Sequence, residues 1–306
     1  MDQIKIFAPA TVANVSCGFD ALGFALEALG DAMVFKKTVS KVVKITKIEG
    51  ADLPFDVNKN VVGVVAQQIL NDANADFGLE IEVYKNFKPG SGLGSSAASS
   101  AGTAYAVNQL LGMPFSKLEL TKYAMQGEVA ACGSAIADNV AAAIYGGFIL
   151  VRSYEPLDIV SLPTPNDLFV SVIHPQIEIR TEDARRVLPK SIPLKTAIAQ
   201  WANVGGLVSG LYESNYETIG NSLIDMVAEP ARKQFIPHFD ELKTACLNTG
   251  ALGFGISGSG PSMFALSEGK DIAQNVANAM TEVYQKTGID FKVYISAIHK
   301  NGVEEM

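Results

Sequence analysis

The chain has few cysteines, and their number and spacing exclude two classes of protein. Its 306 residues include three, Cys17, Cys132 and Cys246, which lie far apart and lack CxxC spacing. An odd number of widely spaced cysteines argues against a disulfide framework and against a zinc site. We therefore expect reduced thiols. The first residues, MDQIKIF, contain no apolar signal core, so we expect a cytoplasmic protein.

Basic residues are also scarce. Lys and Arg number 24 against 32 Asp and Glu, which gives a formal net charge of −8, and no basic run occurs. This balance predicts binding neither to nucleic acid nor to a membrane surface. The most apolar stretch, residues 140–151, is too short and too rich in glycine to span a bilayer. An anionic substrate would need a few locally placed arginines or lysines.

The length and the 48% hydrophobic content suit a globular protein of two lobes. The spacing of apolar residues predicts a strand at Ile4–Ala8 that a Pro-Ala-Thr turn ends, and a strand at Leu79–Tyr84. Ser116 with Glu119 three residues later predicts the start of a helix, and a further helix is predicted over Tyr216–Val227. A proline-rich stretch after residue 155 predicts a boundary between an N-terminal lobe, 1–165, and a C-terminal lobe, 166–306.

The glycine-rich stretch from Gly90 to Ser96 is the most informative part of the chain. Its glycines permit positive φ, and the unpaired N–H groups of the following helical turn would point at a bound anion such as phosphate. The stretch matches neither the common phosphate loop nor the dinucleotide fingerprint. A flexible linker is the alternative, but the helix-compatible run that follows up to Gly112 argues against it.

Three motifs together carry a resemblance to a known family. They are PATVANVSCGFDALG at residues 9–23, the glycine loop, and GISGSGP at residues 255–261. The set resembles the GHMP kinases. Within them it is most similar to the homoserine kinases, because ADNV at 137–140, TEDARRVLP at 181–189 and AEPAR at 228–232 follow in that family's order.

The resemblance covers nearly the whole chain, and it implies both a fold and a reaction. The fold is α+β, with an N-terminal ribosomal-S5-like α/β lobe and a C-terminal ferredoxin-like lobe. The reaction is ATP-dependent phosphorylation of the side-chain hydroxyl of L-homoserine, in threonine biosynthesis. A GHMP kinase that acts on another small alcohol and a non-catalytic sensor are the alternatives. A homodimer is common in this family.

The resemblance also implies the nucleotide site, with ATP and Mg²⁺ as cofactors. Glu128 matches the metal carboxylate and Ser96 the loop hydroxyl ligand, although a lone glutamate in a helix is usually a solvated surface charge. The residues expected to bind the nucleotide are Asn60, Lys85, Pro89, Gly90, Ser91, Gly92, Leu93, Gly94, Ser95 and Ser96. Asn60 could instead cap a helix. Lys88 stands where the family usually has proline, and we expect it to be solvated.

For the substrate, a small zwitterion needs an acceptor for its ammonium group and a partner for its carboxylate. Asp20 suits the first role, and Arg185 and Arg232 suit the second, because guanidinium groups bind carboxylates bidentately. The full set expected at the substrate is Asn14, Asp20, Asn139, Thr181, Arg185, Arg232 and Gly258. The alternatives are turn chemistry for Asn14 and Asp20, surface ion pairs for the arginines, and a helix cap for Thr181. Arg186 is the neighbour most easily confused with Arg185.

Asn139 determines the mechanism that the sequence predicts. Sugar and mevalonate relatives place an aspartate there, but an amide cannot take a proton at neutral pH. The three histidines match no motif. We therefore expect direct phosphoryl transfer without a strong protein base, with Asp138 structural and a base role for it as the alternative. Cys17 either lines the substrate pocket or is an inert buried residue.

Overall fold

The computed structural model of the chain describes the backbone throughout and every side chain except those of Cys132 and Thr181. Its strands form two sheets, one of seven strands and one of four. The first sheet consists of β1 (Gln3–Ala13), β2 (Leu22–Thr38), β3 (Val43–Glu49), β4 (Gly78–Tyr84), β5 (Phe148–Tyr154), β6 (Leu157–Leu162) and β11 (Glu304–Glu305). The second consists of β7 (Leu168–Pro175), β8 (Gly253–Ile256), β9 (Met263–Glu268) and β10 (Phe291–Ala297).

The first sheet has the strand order β11-β1-β2-β4-β3, and β5 pairs with both β2 and β6. Its strands pair antiparallel except β3 with β4. The helices of this half are α1 (Val61–Asp72), α2 (Ser95–Leu110), α3 (Lys117–Cys132) and α4 (Asp138–Tyr145). α3 begins with a capping box between Ser116 and Glu119, as predicted.

The second sheet is antiparallel throughout, in the order β10-β7-β9-β8. Its helices are α5 (Thr181–Arg186), α6 (Leu194–Glu213), α7 (Tyr216–Ser222), α8 (Ala228–Arg232), α9 (Phe239–Asn248) and α10 (Lys270–Tyr284). The predicted helix over Tyr216–Val227 is therefore wrong beyond Ser222. The predicted boundary at residue 165 stays a prediction.

The predicted turn after Ala8 is also wrong, because β1 continues through Pro9 to Ala13. The pairing of β1 with β2 shifts register between Pro9 and Thr11. A proline lacks the N–H that a regular ladder needs, and it is tolerated at such an irregularity. The extension matters because it carries the strand as far as the residues of the N-terminal motif.

One hydrophobic core joins the two sheets. The Phe24 ring on β2 contacts Phe148 of its own sheet and Phe264 of the other, with centroid distances of 4.8 and 6.0 Å. The Ser296 hydroxyl on β10 accepts hydrogen bonds from the N–H groups of Glu27 and Ala28, at 2.8 and 2.9 Å. The sheets are thus fixed relative to each other. In the part of the chain that the structure describes, no helix is long and apolar enough to cross a membrane.

Candidate active site

One cavity of about 490 Å³ brings together residues from the distant motifs. The predicted residues that line it are Asn14, Asp20, Pro89, Gly90, Gly92, Gly94, Ser95, Ser96, Glu128, Asn139, Arg185, Arg232 and Gly258. The predicted residues outside its lining are Asn60, Lys85, Ser91 and Leu93, and the side chain of Thr181 lies outside the described residues.

The glycine loop leads directly into α2 along the cavity wall. Gly92 and Gly94 have φ angles of 79° and 67°, in the left-handed region. Gly94 is the N-cap of α2, and no side chain caps this end of the helix. The first turn therefore keeps backbone N–H groups for an anion in the cavity, as expected of a phosphate loop.

Hydrogen bonds from the other motifs hold this loop in place. The Ser257 hydroxyl donates to the Gly92 carbonyl at 2.6 Å, and the Thr11 N–H donates to the Leu93 carbonyl at 3.0 Å. Within the loop, the Leu93 N–H donates to the Ser91 hydroxyl at 3.3 Å. Ser91 and Leu93 thus form hydrogen bonds within the protein and stabilise the loop. Their contact with a nucleotide stays a prediction.

Lys85 lies beneath the loop, with its ammonium group buried. The group forms an ion pair with Asp31 and donates to the Ser95 carbonyl at 2.9 Å and the Ser99 hydroxyl at 3.1 Å. Burial lowers the pKa of Lys85, and the Asp31 carboxylate opposes that change. These bonds fix the first turn of α2 from the protein side. Direct contact of Lys85 with the nucleotide stays a prediction.

Asn60 has the capping role that was the alternative to nucleotide binding. Its side-chain oxygen accepts a hydrogen bond from the Val62 N–H at 3.1 Å, and its amide nitrogen donates to the Pro54 carbonyl at 2.8 Å. The nucleotide contact stays a prediction. Lys88 is exposed.

Glu128 and Ser96 meet at the loop end of the cavity. Glu128 is only 7% exposed, so a solvated surface charge is the wrong interpretation. Burial raises the pKa of Glu128 to about 7, against the opposing effects of a hydrogen bond from Ser96 and the charge of Lys85. A cation beside this carboxylate would favour its ionised form.

The pair fits Mg²⁺, which takes hard oxygen ligands and keeps waters and substrate phosphates in its shell. Among the described side chains, no group of three or more acidic, histidine or cysteine residues could hold a metal. The Glu128 carboxylate and the Ser96 hydroxyl are therefore a pair that could hold a cation together with ligands from a bound nucleotide and water.

Asp20 and Arg185 also line the cavity and face each other. The Arg185 Nη2 atom lies 3.0 Å from both carboxylate oxygens of Asp20. The neighbouring Arg186 instead pairs with Asp183 on the surface, at 2.6 Å, and is outside the cavity lining. Of the two adjacent arginines, Arg185 is therefore the one at the cavity.

Arg232 is buried and reaches the cavity from α8. Its Nε donates to the Ala184 carbonyl at 3.0 Å, and its Nη1 donates to the Gly258 carbonyl at 2.9 Å. Burial lowers the pKa of Arg232, while the charge of Asp20 acts to raise it. A surface ion pair is thus the wrong interpretation for this residue.

Asn14 organises the backbone around Asp20. Its amide nitrogen donates to the Gly258 carbonyl at 2.8 Å, and its side-chain oxygen accepts from the Asp20 N–H at 3.0 Å. Asn14, Val15 and Ser16 all have positive φ angles. Turn chemistry is therefore present at Asn14, and its substrate contact stays a prediction.

Asn139 and Asp138 begin α4 beside the loop. The Thr11 hydroxyl donates to the Asn139 side-chain oxygen at 2.6 Å, which fixes the orientation of this side chain. Asp138 lines the cavity and accepts from the Asn139 N–H at 2.7 Å. Burial and the charge of Asp20 raise the pKa of Asp138 to about 7. A general base works best with a pKa near this value, so Asp138 is the alternative to direct transfer without a base.

Sequence reasoning missed several residues of the site. Glu178, Arg180 and Glu182 line the cavity, and Phe19 lies against two of its arginines. The signal for Phe19 was its place inside the CGFD motif, and that for Arg180 and Glu182 was their position beside Thr181. Cys17 is the inert buried residue of the two alternatives: it is outside the cavity lining, and burial raises its pKa to about 12.

Two family models match the chain, "GHMP kinases N terminal domain" over residues 60–147 and "GHMP kinases C terminal" over residues 207–286. The homoserine kinase of Chlorobium phaeobacteroides strain DSM 266 is 45% identical and covers 99% of each chain. That of Methanococcus vannielii is 39% identical, over 93% of this chain and 94% of its own. The crystal structure of homoserine kinase from Cytophaga hutchinsonii matches with a TM-score of 0.96 at 49% identity, over 100% of this chain and 98% of that one.

Proposed function

The chain belongs to the homoserine kinase family of the GHMP kinases, and on that premise we propose that it transfers the γ-phosphoryl group of ATP to the side-chain hydroxyl of L-homoserine. The product would be O-phospho-L-homoserine, an intermediate of threonine biosynthesis. The α+β GHMP kinase fold predicted from the motifs is confirmed. The single observation that supports the site most strongly is one cavity shared by the phosphate loop, Asp20 and two arginines.

At the loop end, the backbone N–H groups of the first turn of α2 would bind the phosphates. Glu128 and Ser96 would hold Mg²⁺, which when bound neutralises charge on the β- and γ-phosphates. The buried position of Glu128 keeps competing water away from its carboxylate. Lys85 and Ser257 would act on the nucleotide indirectly, by fixing the loop.

At the other end, Asp20 would take the ammonium group of L-homoserine, and Arg185 and Arg232 its carboxylate. Both kinds of charge are needed for a zwitterion, and charge-assisted hydrogen bonds are the strongest that a site can offer. Because Arg185 already contacts Asp20, substrate binding would exchange this internal pair for two pairs with the ligand. Asn14 and Gly258 would complete the pocket wall.

We propose direct transfer as the mechanism. The substrate hydroxyl oxygen attacks the γ-phosphorus, the bond to the β-bridging oxygen breaks as ADP leaves, and the hydroxyl proton passes to a γ-phosphoryl oxygen. Asn139 would donate from its amide nitrogen and orient the reacting groups, because its oxygen is already bound by Thr11. Such a transfer relies on positioning and charge neutralisation.

An ADP-release assay tests the proposed function. With Mg·ATP, we compare L-homoserine, D-homoserine, mevalonate and galactose with a reaction that lacks an acceptor. L-homoserine should support turnover well above all the others, because Asp20 and the arginines would fix the substituents of the α-carbon. Turnover with mevalonate or galactose alone would indicate another GHMP kinase, and no turnover with any of them would favour the sensor.

The pH profile of kcat tests the direct-transfer step. Asn139→Ala should retain measurable activity and the wild-type profile, whereas loss of a true general base costs about 10²–10⁴ in rate. Asn139→Asp should be no faster, since a carboxylate would repel the γ-phosphate. An essential base of pKa between about 5 and 8 in wild type, absent from Asp138→Asn, would replace direct transfer with base catalysis by Asp138.

We also propose that the protein is a cytoplasmic homodimer. An apolar face of α6 supports the dimer, because Leu194, Ile198, Trp201 and Tyr212 are exposed along that helix. Large side chains of this kind at the surface are typical of a contact with another protein surface.

A further inference from the structure

Phe19 lies against both arginines proposed to bind the substrate carboxylate. The guanidinium carbon of Arg232 is 5.0 Å from the centre of the Phe19 ring, and that of Arg185 is 5.9 Å away. Both distances fall within the range of cation–π interactions. Phe19 itself is half-buried and outside the cavity lining, whereas the two arginines that it contacts line the cavity.

The two guanidinium groups repel each other. The charge of Arg185 lowers the pKa of Arg232, in addition to the effect of burial. Arg185 has Asp20 as its anionic partner, whereas Arg232 donates to two neutral carbonyls and, among the described side chains, forms no ion pair. The charge of Asp20 opposes this repulsion, since it acts to raise the pKa of Arg232 as well as pairing with Arg185. The Phe19 ring is a second group that lies against both cations.

An aromatic ring suits this task better than a carboxylate would. Its face carries partial negative charge that attracts a cation, but it accepts no strong hydrogen bond. A carboxylate in the same place would occupy the N–H donors that the substrate carboxylate needs. A leucine would keep the apolar contact and lose the attraction.

We propose that Phe19 is a positioning residue, whose ring holds the guanidinium groups of Arg185 and Arg232 at the spacing required for both to bind one substrate carboxylate. This proposal rests on the proposed function. It assigns Phe19 a part in affinity for the amino acid and none in binding the nucleotide.

Kinetics and calorimetry of Phe19→Leu and Phe19→Tyr test the proposal, with Phe55→Leu as control, since Phe55 is 54% exposed and outside the cavity lining. Phe19→Leu should raise the KM and Kd for L-homoserine by about 2-fold to 30-fold, the loss of one or two cation–π contacts. The KM for ATP should change less than about twofold. Phe19→Tyr keeps the aromatic ring and should retain the wild-type KM and Kd for L-homoserine. Phe55→Leu should also leave both constants unchanged.

A double-mutant comparison separates positioning from general packing. In an Arg232→Ala background, Phe19→Leu should have a much smaller effect on the KM for L-homoserine, because one of its cations is gone. Equal effects in both backgrounds, equal rises in both KM values, or a Phe19→Tyr variant as impaired as Phe19→Leu would overturn the role of Phe19. Absence of wild-type turnover and binding with L-homoserine would instead overturn the proposed function, and this proposal with it.

Discussion

Asp138 is a carboxyl group that the fold keeps away from water at the wall of the cavity. Its pKa is raised from 3.8 to about 7 by burial and by the charges of Asp20 and Glu128, with Arg185 acting in the opposite direction. The folded state thus favours the protonated form. The contribution of the protonated Asp138 carboxyl to the free energy of unfolding is fully present below about pH 4. It is lost as the pH rises through about 7.

Asp138→Asn should remove this dependence while keeping an oxygen to accept from the Asn139 N–H. At about 1.4 kcal/mol per unit of pKa, the free energy of unfolding of the variant should rise by about 4 kcal/mol relative to wild type between pH 4 and pH 8. Thermal unfolding of both proteins across this range measures the difference. Parallel curves would mean that Asp138 has the same pKa in the folded and the unfolded protein.

Glu128 is the residue on which the proposed metal site depends. Glu128→Gln keeps the shape and removes the charge, so the Mg²⁺ concentration for half-maximal turnover should rise at least about tenfold. Glu119→Gln is a matched control on the same helix, because it lies in the exposed capping box. A titration of activity with Mg²⁺ is the measurement, and identical curves for the three proteins would exclude Glu128 as a ligand.

Arg185 and Arg186 offer a comparison of neighbours. Arg185→Ala should raise the KM for L-homoserine by about tenfold to a hundredfold, which corresponds to the free energy of one hydrogen bond between charged groups. The KM for ATP should change less. Arg186→Ala should stay within about twofold, because its exposed ion pair with Asp183 contributes little. Steady-state kinetics decide, and the reverse order would assign the substrate carboxylate to Arg186.

The motifs could predict which residues gather at the cavity but less well what each side chain contacts. Asp20, Glu128 and Arg232 line it as expected. Lys85 precedes the loop in sequence, yet its side chain turns beneath α2 because Asp31, on a neighbouring strand, provides the partner that a buried ammonium requires. Asp31 lies outside every motif, so sequence alone had no signal for this pair.

The conformation of the glycine loop depends on the turn after β8, which packs against it. Gly92 combines a φ of 79° with close neighbours, since an added Cβ would lie 2.6 Å from the Ser257 carbonyl oxygen and 2.7 Å from that of Gly260. Both are backbone atoms and cannot move independently. The loop can therefore keep its position only with glycine at residue 92.

Gly92→Ala should displace the loop and raise the KM for ATP by at least about tenfold, since a misplacement of about 1 Å can cost about 10² in rate. Gly112→Ala is the matched control, because Gly112 also has a positive φ, of 86°, but an added Cβ there meets nothing within 4 Å. Gly112→Ala should lower the free energy of unfolding and leave the KM for ATP unchanged. Kinetics and thermal unfolding of both variants separate the two effects, and an unchanged KM for ATP in Gly92→Ala would contradict the account of the loop.

Elements with a strong local signal could be predicted, and the others depended on contacts between distant residues. Strand β4 and the start of α3 agree with the pattern and the capping box. The predicted helix over Tyr216–Val227 fails because the Asp225 carboxylate accepts from the N–H groups of Val227, Ala228 and Glu229. These bonds begin α8 as a separate helix, and α8 in turn places Arg232 at the cavity.

For the whole molecule, the cavity exists because two sheets share one core. Asn14 and Gly258 are 244 positions apart in sequence, and the hydrogen bond between them joins the N-terminal motif to the C-terminal glycine turn. Composition and periodicity contain no information about such a contact. Only the family resemblance indicated that these motifs meet.

The proposed homodimer is tested by placing a charge in the exposed apolar face of α6. Trp201 is the only tryptophan and is 57% exposed on α6, so Trp201→Lys would place a charge in the apolar face. Sedimentation should show a dimer for wild type and a monomer for the variant. Val39→Lys, at a residue that is 99% exposed on the other half of the molecule, should remain dimeric. A wild-type monomer, or a Trp201→Lys dimer, would contradict the proposed α6 contact.

A crystal structure of the protein with L-homoserine, Mg²⁺ and a non-hydrolysable ATP analogue would show whether one cavity holds both substrates in position for direct transfer. We predict the ammonium group at Asp20, the carboxylate between Arg185 and Arg232, and the hydroxyl oxygen about 3–3.5 Å from the γ-phosphorus, beside Asn139. L-homoserine bound outside the cavity, or its hydroxyl turned away from the glycine loop, would contradict direct transfer in this cavity.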